Sequence, residues 1–157
     1  MIRSACLDDV SALAGLSTQL GYPADAGAMR QRLALLLPAS DHAVFVAVRN
    51  AQVIAWMHVL AVLHLETGPF AEIAGLVVDE GQRGAGIGAA LVQRAADWAR
   101  AQGLPTLVVR SRAERLRTHR FYQRLGFVQQ KVQHVFSLDL DHADAGPQAC
   151  FRPPERA

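Results

Sequence analysis

The feature that most constrains this chain is the stretch Leu76-Val77-Val78-Asp79-Glu80-Gly81-Gln82-Arg83-Gly84-Ala85-Gly86-Ile87-Gly88. A β-branched run enters a glycine-rich turn, and an apolar helix leaves it. Three glycines in five residues, Gly84, Gly86 and Gly88, shape a backbone that can touch a ligand. Such a turn offers free N–H groups beside the positive end of a helix dipole, which suits a phosphate. Close packing of helix on strand would explain one of these glycines. Three of them beside Arg83 point to an anion cradle.

The rest of the chain supplies the frame. Ile2–Cys6 can form a short strand. Asp8 or Asp9 can cap a helix carrying Val10, Leu13, Leu16 and Leu20 at helical spacing. Gly21-Tyr22-Pro23 breaks it, and Asp25 can start a second helix through Met29, Leu33 and Leu36. Two apolar runs around Arg49-Asn50-Ala51-Gln52 read as a β-hairpin. Glu72–Val78 and Thr106–Arg112 read as strands flanking a helix from about Gly86 to Ala101, which puts Ile87, Leu91, Ala95 and Trp98 on one face. That unit predicts two parallel strands joined by a right-handed crossover. A short helix closed by Gly126 follows, and Phe127–Leu140 reads as one or more final strands. The prediction is an α+β fold with a mixed, mostly antiparallel sheet and helices on both faces. It forms one domain over 1–140, followed by a loose tail over 141–157.

Composition excludes several classes. A net charge of +2 on 157 residues argues against nucleic acid as partner. No apolar run nears the roughly 20 residues of a membrane helix. The N-terminus has no signal-peptide core, and Cys6 and Cys150 lie far apart, so a cytoplasmic protein with reduced thiols is expected. The six histidines lack metal-ligand spacing, and no metal is expected. Six arginines crowd Arg110–Arg124 with one acid, Glu114.

Three known arrangements could use the glycine turn. A P-loop fails, because Ala89 and Ala90 stand where Lys and Ser or Thr are needed. The dinucleotide pattern G-x-G-x-x-A is matched by Gly84, Gly86 and Ala89, but the next strand ends in Arg110-Ser111-Arg112 instead of the ribose-binding acid. The third is R-x-x-G-x-G, filled by Arg83, Gly86 and Gly88. Together with Phe121-Tyr122 and Gly126-Phe127 it resembles the GCN5-related N-acetyltransferase (GNAT) superfamily. The resemblance runs from the first strand to about Leu140. In motif style it is similar to small-amine acetyltransferases, notably those acting on aminoalkylphosphonates.

What the resemblance implies is specific. A central parallel strand pair would splay to hold acetyl-CoA, with backbone groups of Leu76, Val77 and Val78 along its arm. Arg83, Gly84, Ala85, Gly86, Ile87 and Gly88 would hold the pyrophosphate. Arg115, with Arg117 and Arg120, could meet the ribose phosphate of CoA or an anionic group of the substrate, a solvated helix face being the plainer alternative. Arg115 and Thr118 stand where many members carry Asn and Ala, which puts one contact to the arm in doubt. Tyr122 would be the general acid and Glu72 the base, the latter sharing a strand face with Ala74, Leu76 and Val78 by alternation. His58, His64 and Glu66 are weaker substitutes. The acceptor would lie near Tyr22, His58 and His64, a small primary amine being favoured. The resemblance permits a homodimer. A protein or peptide amine acetyltransferase, or an acyl-CoA-binding regulatory module without turnover, remain as alternatives.

Overall fold

The computed structural model describes residues 1–140; the expected tail lies outside them. In chain order the elements are β1 (Ile2–Ser4), α1 (Val10–Gln19), α2 (Ala26–Leu36), β2 (His42–Arg49), β3 (Gln52–His64), β4 (Gly68–Val78), α3 (Ile87–Ala101), β5 (Leu107–Val109) and α4 (Leu116–Arg124). The strands form one sheet in the order β1-β2-β3-β4-β5. All pairs are antiparallel except β4–β5, the parallel pair expected from the strand–helix–strand unit.

Local chemistry explains the boundaries. Asn50 and Ala51 take φ of 49° and 62°, a left-handed pair whose twist suits the two-residue link between β2 and β3. Asp25 caps α2 by accepting from the Ala28 N–H at 2.8 Å. Asp9 does something else. Its carboxylate accepts from the Cys6 N–H at 2.9 Å and from Arg3 at 2.7 and 2.8 Å, tying β1 to a single 3-10 turn over Leu7–Asp9. It makes no side-chain cap on α1. The Arg3 guanidinium holds the Asp9 carboxyl below the usual carboxylate range.

The sheet divides two cores. On one face α3 places Leu91 and Ala95, both fully buried, against Phe45, Ala55, Met57, Val59 and Ile73, with Ile87 and Trp98 at the margin. On the other, α1 and α2 pack Val10, Leu13 and Leu33 onto Val44 and Val46. Burying such side chains stabilises by roughly 1.5–3 kcal/mol each.

Two expectations change. Residues 128–140 form no strand, so the parallel pair sits at the edge of the described sheet and not at its centre. The strand read over Thr106–Arg112 shrinks to Leu107–Val109, while the one read over Glu72–Val78 starts earlier, at Gly68. Among the described residues no helix is long and apolar enough to cross a membrane.

Candidate active site

The site begins where β4 loses a neighbour. Ala71, Glu72 and Ile73 pair with Leu107, Val108 and Val109, and there the parallel ladder stops. β4 continues to Val78 with only β3 beside it. At the same point the β3–β4 register slips, because His58 opposes Gly75 while Val59 opposes Ile73, leaving Ala74 as a bulge. From Ala74 onward, the edge of β4 that faces away from β3 has no partner strand. Its N–H and C=O groups face a gap.

The bulge also corrects the face assignment. Glu72, Ala74, Leu76 and Val78 do not share one face. Inserting one residue reverses the alternation. Leu76 and Val78 oppose Met57 and Ala55 and pack into the α3-side core. Glu72 opposes Leu60, between inward Ala71 and Ile73, and so lies on the α1–α2 side with Gly75 and Val77. Gly75 is required there. A Cβ would come within 2.8 Å of the Trp56 ring.

The glycine turn closes the gap at its far end. Gly84 and Gly86 hold φ of 85° and 77°, which L side chains rarely adopt, and a Cβ on either would meet nothing within 4 Å. Gly86 is the N-cap of α3 and supplies no side-chain cap, so the first N–H groups of this helix point outward unshielded. Gly88 has a different reason. A Cβ would stand 3.2 Å from the Phe121 ring of α4, so this glycine serves the packing of helix on helix. The Arg83 side chain bends back, its Nε donating to the Val78 carbonyl at 3.2 Å and its Nη2 lying 3.6 Å from Glu80. It fixes the turn to the end of β4 while staying partly exposed. The turn and the unpaired edge of β4 thus lie end to end, both presenting backbone groups.

Tyr122 enters from the α3 side. It is buried and makes edge-on contacts with Phe121 at 5.0 Å and Phe127 at 5.3 Å. Burial pushes its phenol up to about 12, so it keeps its proton across the neutral range. Glu72 lies across the sheet from it, with Arg110 Nε 3.2 Å from Glu72 Oε1.

Further polar groups share the face of Glu72. His42 Nδ1 and His58 Nε2 are 2.9 Å apart with stacked rings, a pair of which one nitrogen must donate and the other accept. Burial first, and His42 second, hold His58 down at about 4. Trp56 and His58 line a recess of about 160 Å³ under α1 and α2, with Leu13, Met29, Leu33 and Leu36 as its apolar walls. The buried Trp56 Nε1 has no hydrogen-bond partner. Neither His42 nor Arg110 stood out individually in the sequence, because each matters only through the strand register.

The remaining candidates are dispersed. Tyr22, in the α1–α2 link, accepts a hydrogen bond from Arg112 at 3.0 Å, with the guanidinium over its ring. That contact joins the link to the segment after β5. His64 ends β3 and stacks edge-on with Phe70. It lies six residues from His58, roughly 20 Å along the strand, and is not brought to the gap. Glu66 falls in the exposed β3–β4 turn. Arg115 sits at the N-cap of α4, half-buried. Among the described residues no group of three His, Cys, Asp or Glu side chains is arranged to hold a metal.

Comparison with known proteins bears on the family and the fold. A family model described as Acetyltransferase (GNAT) family matches residues 12–127. No curated protein sequence matches the chain. Among solved structures, an aminoglycoside antibiotic 6'-N-acetyltransferase from Acinetobacter haemolyticus superposes with a TM-score of 0.79 at 20% identity, covering 90% of this chain and 99% of that one. The glucosamine-6-phosphate N-acetyltransferase of Arabidopsis thaliana gives 0.77 at 20% identity, over 88% and 98%. A transcriptional regulator from Bacillus halodurans gives 0.77 at 20%, over 87% and 99%. At such identities the likeness is one of fold.

Proposed function

Because the chain belongs to the acetyltransferase (GNAT) family, whose members use acetyl-CoA, we propose that it moves the acetyl group to the primary amine of a small molecule, directly, in a ternary complex. The observation that carries this reading is the gap itself. An unpaired length of β4, Ala74–Val78, leads into a cradle of free N–H groups at Gly84–Ile87. An extended pantetheine arm can add to the strand edge, and a diphosphate suits the helix terminus.

On this reading acid and base approach from opposite faces of the sheet. Glu72, on the α1–α2 side, accepts a proton from the acceptor amine, directly or through water. The amine nitrogen bonds to the acetyl carbon while the carbon–sulfur bond breaks. Tyr122, on the α3 side, gives its proton to the leaving sulfur, and an N–H of the Leu76–Val78 edge polarises the carbonyl. Arg110 orients Glu72. A small acceptor is favoured by the narrow apolar recess beside Trp56 and His58, and by structural relatives named for aminoglycoside and glucosamine-6-phosphate acetylation.

The test is acceptor-dependent release of CoA thiol across polyamines, aminophosphonates, amino acids, aminoglycosides and peptides. At least one small amine should stimulate release, and Glu72→Gln should slow it by about 10²-fold. Tight acetyl-CoA binding with no release by any amine would instead favour a regulatory module.

A further inference from the structure

On the face of the sheet that carries Glu72, β3 and the helices α1 and α2 leave a recess of about 160 Å³. Leu13, Met29, Leu33 and Leu36 wall it with carbon, and Trp56 and His58 form its strand side. The two aromatic residues add little polarity. Trp56 Nε1 is buried without a hydrogen-bond partner, so the indole offers the recess no reachable N–H. His58 Nε2 is taken up 2.9 Å from His42 Nδ1, and burial keeps the ring neutral at neutral pH. Among the described residues no carboxylate lines the recess, and the charged lining residue, Arg32, is exposed at its rim.

Position ties this recess to the open edge of β4. Gly75 and Val77, the partners of His58 and Trp56, both belong to the unpaired length. The Trp56 ring lies where a Gly75 Cβ would come within 2.8 Å. Leu60, next on the same face of β3, pairs with Glu72. Glu72 is thus a diagonal neighbour of His58, roughly 7–8 Å away. A wider hollow of about 450 Å³ between Leu7, Ser11 and Gly27 touches no strand and has no such place.

We infer that this recess holds the apolar end of the acceptor, and that the acceptor is a primary monoamine carrying one compact hydrocarbon group. Size, charge and position select this occupant together. An apolar cavity of about 150 Å³ accommodates one benzene ring, so a single ring or a short branched chain fills the space. An ammonium sunk there would lose its water and meet no carboxylate. The amine therefore stays outside, toward Glu72, and the opposite end of the molecule goes in. Arg32 at the rim repels a second cation. Polyamines and aminoglycosides, with several ammonium groups each, are disfavoured on both counts. The place of the amine rests on the acetyl-transfer reading, which this occupant deepens.

Two readouts separate the recess from the reaction. With CoA bound, 2-phenylethylamine should give nuclear Overhauser contacts from its ring to the methyl groups of Leu33 and Leu36. In the thiol assay its kcat/KM should exceed that of ethanolamine, which has a hydroxyl in place of the ring, by about 50-fold. Met29→Phe and Leu36→Phe fill the recess from two walls, and each should cut that ratio about tenfold. Arg32→Glu should raise the use of putrescine relative to 2-phenylethylamine about fivefold at low salt. Ring contacts without thiol release from any amine would defeat acetyl transfer and uphold the recess. Missing ring contacts overturn the inference, as does turnover of ethanolamine or putrescine equal to that of 2-phenylethylamine. An unchanged ratio in either filled variant, folded by circular dichroism, overturns it as well.

Discussion

From Gly68 to Ile73, β4 lies between two strands or their approach; from Ala74 to Val78 it has β3 alone. The two halves have similar residues, small and apolar, so composition does not separate them. Their neighbours do. In the first half Ala71 and Ile73 are buried in the α3-side core, and the backbone is used up by the ladder. In the second half the same sort of backbone is left with free groups on one edge. Support and ligand edge are thus made from one strand, divided by a one-residue bulge.

That contrast can be broken most sharply at Tyr122, the proposed acid, buried in the α3-side core. Tyr122→Phe should lower kcat by about 10²–10⁴-fold and leave acetyl-CoA affinity unchanged, by calorimetry. A kcat within about twofold of the parent would move the acid elsewhere. In the closed half the response should be the reverse. Ile73→Ala empties part of a buried site and should cost about 3 kcal/mol in urea unfolding, within the usual 2–5 for such truncations, with kcat per folded molecule retained. If activity fell in proportion, the two halves would not be separable.

The turn gives a smaller effect. Gly86→Val forces a β-branched residue to a φ of 77°, a strain of about 1–2 kcal/mol. Relief by local rearrangement would spoil the cradle, so acetyl-CoA affinity should fall about tenfold while the melting temperature moves little. Unchanged affinity would count against the cradle.

The smallest effect is electrostatic. His58 titrates at about 4 in the fold against 6.5 in its absence, with burial as the main cause. Above 6.5 it is neutral in both states and contributes no pH dependence. Between 6.5 and 4 the unfolded chain takes up a proton that the folded chain refuses, so stability falls as pH falls through that window. The ring is partly exposed, and screening leaves about 1 kcal/mol of this. The drop in urea midpoint from pH 7 to pH 4.5 should therefore be shallower in His58→Gln. An identical drop in both proteins would show that burial does not keep His58 neutral through that window.

What could be read in the sequence follows from range. The helix bearing Ile87, Leu91, Ala95 and Trp98, the Asp25 cap and the Asn50-Ala51 turn are set by residues within a few positions of one another, and each forms where the pattern puts it. The bulge at Ala74 does not announce itself, because it is a mismatch between β3 and β4, strands whose register no short stretch of either one sets. Simple alternation therefore puts Glu72 on the face of Leu76 and Val78, and the bulge separates them. The His42–His58 and Glu72–Arg110 pairs depend on register in the same way. The alternation in 128–140 is plain in the sequence, yet these residues form neither helix nor strand.

The indole lying across Gly75 also makes the protein its own optical probe. The chain has two tryptophans, and Trp98 sits on α3 in the opposite core. With Trp98→Phe, emission would come from Trp56 alone, one strand away from the open backbone. Binding could then be titrated from the colour of that light, without a label or an assay for turnover.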